Sequence, residues 1–282
     1  MSAGPITLLL CTNGSPTNGP ALEYGVWLAG ILKAPVLLLG IIESAAHQEA
    51  VEKKLEETTH NLEEAGIEYH TQVERGRGSL AIARVANAGE YLTVVGPLGR
   101  PAWRRVVQGR SFRRLLERVE SPILYVPKAR LPLMSLLLCM GGLGYAEGVE
   151  HLGIHLAKVA GAGVTLLHVV EPITLDYPVT KEIHAHWQEI QDTDTPQGRN
   201  LRIAMQTLRE AGLEADLKVR QGNVVHEILD EVNRGDYDLV GMGSPYSAHS
   251  LRHLYMPNVT AEVAESVDIP VLTVRQGHEL VS

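Results

Sequence analysis

The first 130 residues of this 282-residue chain contain no aspartate. That half cannot supply an Asp as base, nucleophile or metal ligand, which excludes many hydrolytic and metal-dependent mechanisms there. Cysteine is nearly as scarce. Only Cys11 and Cys139 are present, at matching ends of two apolar runs, and they read as small packing residues rather than as a disulfide or metal pair. Nothing at the N-terminus resembles a cleavable signal, and no apolar run approaches the roughly 20 residues that cross a bilayer. A cytoplasmic protein with no membrane partner is expected. Net positive charge is missing too: 25 Lys/Arg stand against 33 Asp/Glu, a formal −8, which argues against a nucleic-acid partner. There is no Walker-type Gly-Lys-Ser/Thr step and no Gly-x-Ser-x-Gly nucleophile elbow.

What is present is said twice. Leu8-Leu9-Leu10-Cys11 returns as Leu136-Leu137-Leu138-Cys139, and at the same offset Gly25, Ala29, Val36, Leu38 and Glu43 return as Gly153, Ala157, Val164, Leu166 and Glu171. Val73-x-x-Gly76 with Ile82 matches Val219-x-x-Gly222 with Ile228, and Ser121-Pro122-Ile123-Leu124 matches Ile269-Pro270-Val271-Leu272. Each copy is the size of one domain. The expected division is residues 1–128, a linker at 129–134, and residues 135–282. Charge divides unevenly between the copies. Residues 1–130 hold 15 Lys/Arg and 13 Glu, whereas residues 131–282 hold 10 Lys/Arg and 20 Asp/Glu.

Short apolar runs alternate with amphipathic stretches in both copies, the pattern of a parallel sheet covered by helices. Strands are expected at Thr7–Cys11, Val36–Ile41, Glu68–Val73, Leu92–Val95 and Ile123–Val126, then at Ser135–Met140, Val164–Val169, Ala215–Val219, Leu239–Met242 and Val271–Val274. Pro20 suits the first turn of a helix. Further helices are expected at Glu49–Ala65, Ser79–Ala88 and Ser111–Val119, the last stopped by Ser121-Pro122. A stretch from Glu171 to Asn200 is inserted before the second helix of the second copy and reads as part loop, part helix.

After the fourth strand comes Val94-Val95-Gly96-Pro97-Leu98-Gly99-Arg100, and Gly109 stands nine residues beyond Gly99. Glycines there let backbone N–H groups approach a ligand, and a helix N-terminus favours phosphate. Arg100, Arg104, Arg105, Arg110, Arg113 and Arg114 crowd the same stretch and suit an anion. A flexible loop beside a solvated basic helix is the alternative reading of these residues.

The spacing of Gly96, Gly99 and Gly109, with Ser121-Pro122-Ile123-Leu124-Tyr125-Val126 as a final strand, resembles the universal stress proteins in a tandem two-domain form. The resemblance implies an α/β fold similar to the adenine nucleotide alpha hydrolases. It consists of two tandem doubly wound parallel five-stranded sheets of order 3-2-1-4-5, flanked by helices. Such an order reverses between strands one and four, so a ligand crevice should lie at their C-terminal ends. The resemblance further implies ATP or another adenine nucleotide, with or without Mg2+, as ligand. Ile41 and Val95 would line the base, Asn13 would face the ribose, and Gly96, Gly99, Gly109, Arg110 and Ser111 would cradle phosphates. The implied role is regulatory or protective in a stress response, with at most a slow ATPase side reaction. A nucleotide-independent scaffold with two decayed crevices is the alternative.

Two departures mark the first copy: Asn13 stands where ATP-binding members carry Asp, and Arg110 where they carry Ser or Thr. The second copy departs further, with Gly141-Gly142 at the Asp position, Tyr246 near the second glycine and Pro257-Asn258 at the last step. Nine of twelve histidines lie in this half. The pairs His151/His155 and His249/His253, and His184-x-His186, lack a third ligand and read as surface or satisfied residues. In the family, single domains pair through their fifth strands. Here Ile123–Val126 and Val271–Val274 should therefore meet antiparallel within one chain, while pairing of two whole chains stays open.

Overall fold

In the computed structural model, which describes residues 6–97, 111–141, 147–171, 187–244 and 259–275, every expected strand forms, most a residue or two longer, while those expected at Ile123–Val126 and Ser135–Met140 end one residue early and that expected at Glu68–Val73 starts one residue late. The first half contains β1 (Thr7–Thr12), β2 (Val36–Ile42), β3 (Tyr69–Arg75), β4 (Tyr91–Val95) and β5 (Ile123–Tyr125). The second contains β6 (Ser135–Cys139), β7 (Gly163–Val170), β8 (Ala215–Gln221), β9 (Leu239–Ser244) and β10 (Val271–Arg275). The described helices are α1 (Gly19–Leu32), α2 (Gln48–Glu64), α3 (Gly78–Ala86), α4 (Ser111–Arg118), α5 (Glu147–Ala160), α6 (Pro196–Glu210), α7 (Val224–Arg234) and α8 (Val259–Ser266). Helix α6 starts inside the expected insertion, because Thr195 caps it through Gly198 N–H and Pro196 occupies its first turn.

Within each half all pairings are parallel, and the order is β3-β2-β1-β4-β5 in one and β8-β7-β6-β9-β10 in the other. The two sheets are not separate. Strands β5 and β10 pair antiparallel, with Leu124 opposite Leu272, and close one ten-stranded sheet. The fifth strands are thus central, and β3 and β8 are the outer edges. Their half-exposed faces carry Glu74, Arg75, Lys218 and Arg220, charges that discourage further strand addition.

Helices cover both faces, so successive β1 residues from Leu8 to Thr12 are buried and point alternately into two cores. Leu8 and Leu10 join Tyr24, Leu28, Leu136, Leu138 and Leu272 on one side. Leu9 and Cys11 join Ile41, Phe112, Leu137, Val263 and Val271 on the other. Each core draws residues from both halves. The repeated glycines are explained by packing: a Cβ on Gly25 would lie 2.4 Å from Leu10 Cδ2, and one on Gly153 would lie 2.8 Å from Leu138 Cδ2. Both mark where the first helix of a half presses on its central strand.

The second half carries one residue more between its third helix and fourth strand. The register aligns Leu92 with Leu239, and the ring contacts of Gly89 on Tyr91 and Gly235 on Tyr237 align the preceding turns, which leaves Asp238 as the extra residue. Asp238 Oδ2 accepts the Met134 and Ser135 N–H groups at 2.9 and 3.1 Å and so pins the end of the linker. Lys128–Asp268 at 2.7 Å is an ion pair just before the linker, but its exposed partners contribute little to stability.

Helix α7 buries Glu231, 1% exposed, beneath the edge strand β8. Its carboxylate accepts from Lys218 Nζ at 2.8 Å, Tyr237 OH at 2.7 Å and Arg220 Nε at 2.9 Å. Burial opposes its ionisation, but the hydrogen bonds from Lys218, Tyr237 and Arg220 outweigh that and hold the carboxyl down at about 2.

Two outcomes are expected. Leu124→Lys or Leu272→Lys places an unpaired charge in the dry seam and should cost about 3–5 kcal/mol in urea unfolding, with both halves lost in one transition. Glu231 is more acidic folded than unfolded, so its contribution is present above its unfolded value near 4.5 and is lost as pH falls toward 2. Glu231→Gln should therefore destabilise the protein at pH 7 by roughly 2–3 kcal/mol and flatten the acid limb between pH 4.5 and 2.

Candidate functional site

The strand order reverses between β1 and β4, and open sheets of this kind hold their ligand crevice at the C-terminal ends of the strands at that point. One wall is the turn that carries Thr12 into α1. Gly14 stands at φ +77°, and a Cβ there would lie 2.7 Å from the backbone of Ala50 and Val51, so the turn closes against the start of α2. Ser15 N–H donates to Asn13 Oδ1 at 3.2 Å, and Gly14 N–H donates to Thr12 Oγ1 at 3.1 Å. The short turn Pro16–Asn18 follows, with Thr17 N–H reaching back to Ser15 Oγ.

The other wall is the exit from β4. Pro97 C=O accepts from Asn18 Nδ2 at 2.9 Å and from Thr17 Oγ1 at 3.0 Å. Asn18, fully buried, uses its own Oδ1 to accept Asn13 N–H at 3.0 Å. One side chain therefore ties the two walls together. Gly96 permits this approach: a Cβ there would meet Ala21 Cβ, Asn18 Cα and Thr17 O all at 3.2 Å. Sequence reasoning missed Asn18, although a small amide in the first-strand turn is the signal for such a tie.

Of the sequence-expected site residues, the crevice brings together Asn13 and Gly96. Asn13 is buried at the end of β1 with 8% exposure. Ile41 and Val95 lie at the same ends of β2 and β4, but both side chains are wholly covered in the core that contains Phe112. A ring reaches them only if a covering group withdraws. Ser111 begins α4. Gly99, Gly109 and Arg110, and the arginines at 100, 104 and 105, lie outside the described residues.

The first turn of α4 is reached from the other half. The Glu265 carboxyl of α8 takes hydrogen bonds from the Phe112 and Arg113 backbone. Desolvation pushes that carboxyl up, and the two N–H groups and the Arg113 charge oppose the rise. Phe112, the chain's single Phe, fixes the helix by packing on Tyr125 of β5 at a ring separation of 4.6 Å.

The corresponding end of the second half is built differently. His168 of β7 stands where the repeat places Gly40, and its Nδ1 donates to Met140 C=O at 2.9 Å. Burial lowers its pKa against the pull of that hydrogen bond. Thr260 Oγ1 donates to Gly243 C=O at 3.1 Å and ties α8 to the exit of β9. Burial raises both thiols, Cys139 to about 12, so neither is a nucleophile. Among the described residues no group of three or more His, Cys, Asp or Glu could hold a metal ion. His151 and His155 stand on α5 with no third ligand among the described residues, and His184, His186, His249 and His253 lie outside the described residues.

Comparison with known proteins places this arrangement in a wider set. The model of the universal stress protein family matches the chain twice, at residues 7–127 and 134–275. The Synechocystis universal stress protein Slr1230 is 24% identical, with 95% of this chain and 99% of that protein covered. A universal stress protein of Archaeoglobus fulgidus superposes with a TM-score of 0.69 at 17% identity, over 96% of both chains. A Pseudomonas aeruginosa PAO1 protein of unknown function gives the same score and identity over 95% of this chain and 92% of its own.

The walls of the crevice give a direct test. Asn18→Ala strands the buried Asn13 N–H and leaves Pro97 C=O with Thr17 as its one side-chain donor, and should cost about 1–3 kcal/mol in thermal or urea unfolding. Gly14→Ala should cost at least as much, since left-handed backbone alone costs about 1–3 kcal/mol and its Cβ also strikes the Ala50–Val51 backbone.

Proposed function

The chain belongs to the universal stress protein family in tandem form, and on that premise we propose that its first half binds an adenine nucleotide. The whole acts as a cytoplasmic regulatory or protective module in a stress response, not as a dedicated enzyme. The observation that carries this reading is the strand-order reversal between β1 and β4, whose exits are tied together by Asn18 before any ligand arrives. Preorganised walls spare a ligand the cost of ordering them. Asn13 meets the ribose, Ile41 and Val95 underlie the base, and Gly96, Gly99, Gly109, Arg110 and Ser111 receive the phosphates, with or without Mg2+. Arginines stabilise such charge but do not accept a proton at neutral pH, and residues 1–130 hold no Asp to act as base.

One observation favours the rival reading, a nucleotide-independent interaction protein: the side chains of Ile41 and Val95 have no exposed surface. No described helix is long and apolar enough to cross a membrane, which suits either reading.

Mass spectrometry of the small molecules carried by the purified protein, followed by calorimetric titration with ATP, decides between them. The expected result is one nucleotide per chain, abolished by Gly109→Asp, which adds bulk and negative charge where phosphate approaches. A titration with no heat in the wild type favours the scaffold. Steady-state phosphate release should stay below about 1 s⁻¹, the lower end of ordinary enzyme turnover.

A further inference from the structure

The Asn13 side chain has only one orientation compatible with its neighbours. Ser15 N–H lies 3.2 Å from its Oδ1, and an N–H bonds to the oxygen of an amide, never to the nitrogen. Oδ1 is therefore used inside the turn, and Nδ2 is the free end. Asn13 N–H goes to Asn18 Oδ1 and Gly14 N–H to Thr12 Oγ1, so neither is left for a ligand. Among the described residues nothing accepts from Asn13 Nδ2, in a residue that is 8% exposed. The crevice thus presents, at the end of β1, an amide whose uncommitted end is the donor Nδ2.

A carboxylate at this position only accepts, and it suits the donating hydroxyls of a sugar diol. An amide nitrogen needs an acceptor, and an anionic oxygen accepts more strongly than a neutral hydroxyl. Resting on the nucleotide reading above, we infer that Asn13 determines specificity at the sugar end of the first crevice. It selects an adenine nucleotide with a phosphate on the 2′ or 3′ oxygen over one with a free diol. Asn13→Asp isolates this effect. One carboxylate oxygen still receives Ser15 N–H, so the turn is kept, while the free end changes from donor to charged acceptor.

The full chain would be titrated calorimetrically with 5′-AMP, adenosine 2′,5′-bisphosphate and adenosine 3′,5′-bisphosphate. The wild type should bind one bisphosphate at least about tenfold more tightly than 5′-AMP, the scale of one charge-assisted contact. The two bisphosphates distinguish the 2′ from the 3′ position. Asn13→Asp should reverse the ranking, and a thermal melt close to wild type shows that it has folded. If that variant does not fold, Asn13→Ser, whose hydroxyl both donates and accepts, should bring the ratio toward one. Tighter wild-type binding of 5′-AMP, or a ratio that neither substitution moves, overturns the inference while leaving nucleotide binding intact. Failure of all three nucleotides to bind overturns the nucleotide reading and this inference with it.

Discussion

The antiparallel seam between β5 and β10 is the contact on which the rest of the molecule depends. A three-residue strand exposed at a sheet edge is a poor structure on its own, with unpaired backbone groups and apolar side chains facing water. Here each half supplies the other's missing neighbour. The sheet runs on across the seam, and the cores on its two faces merge around Leu124, Leu272 and Val271. Because the pairing is antiparallel, the parallel strands of one half point opposite to those of the other. The C-terminal ends of β1 and β4, and those of β6 and β9, therefore open on opposite sides of one continuous body.

The same seam lets one half take part in the other's architecture. It brings α8 against α4, so that Glu265 meets the backbone N–H groups that open the helix after the glycine- and arginine-rich stretch. An isolated first half would leave those groups to water or to a ligand. The linker is held comparably: Asp238, the extra residue of the second half, takes the N–H groups of Met134 and Ser135. Small additions to one copy of a repeated unit thus serve the contact between copies.

The two halves differ in one buried polar cluster each. In the first, Asn18 exchanges hydrogen bonds with Asn13 and Pro97 at the exits of β1 and β4, all neutral groups. In the second, an ionic cluster lies under an edge strand, where Glu231 collects Lys218, Arg220 and Tyr237. The repeated Glu43/Glu171 pair shows how copies diverge. Glu43 Oε1 accepts Gly78 N–H at 2.7 Å and caps α3, whereas α7 is capped by its own Asn223, which leaves Glu171 exposed and without that role.

The sequence by itself determined the repeat, the strand positions and the covered parallel sheets, because these follow from the period and identity of apolar residues along the chain; the antiparallel meeting of the two halves came from the resemblance to a family whose domains pair through their fifth strands. The glycines of α1 and α5 were legible as repeats, though their reason, a leucine beneath each, is a packing fact. Asn18, His168, Asp238, Glu231 and Glu265 were not legible as contacts. Each bonds a group brought near by the fold: Pro97 lies 79 residues from Asn18, and Asp238 lies 104 from Met134. Nor does the sequence distinguish an asparagine that offers its oxygen from one that offers its nitrogen. That is decided by which backbone N–H the folded turn places within 3.2 Å, since a hydrogen bond requires a donor and an acceptor to meet in space.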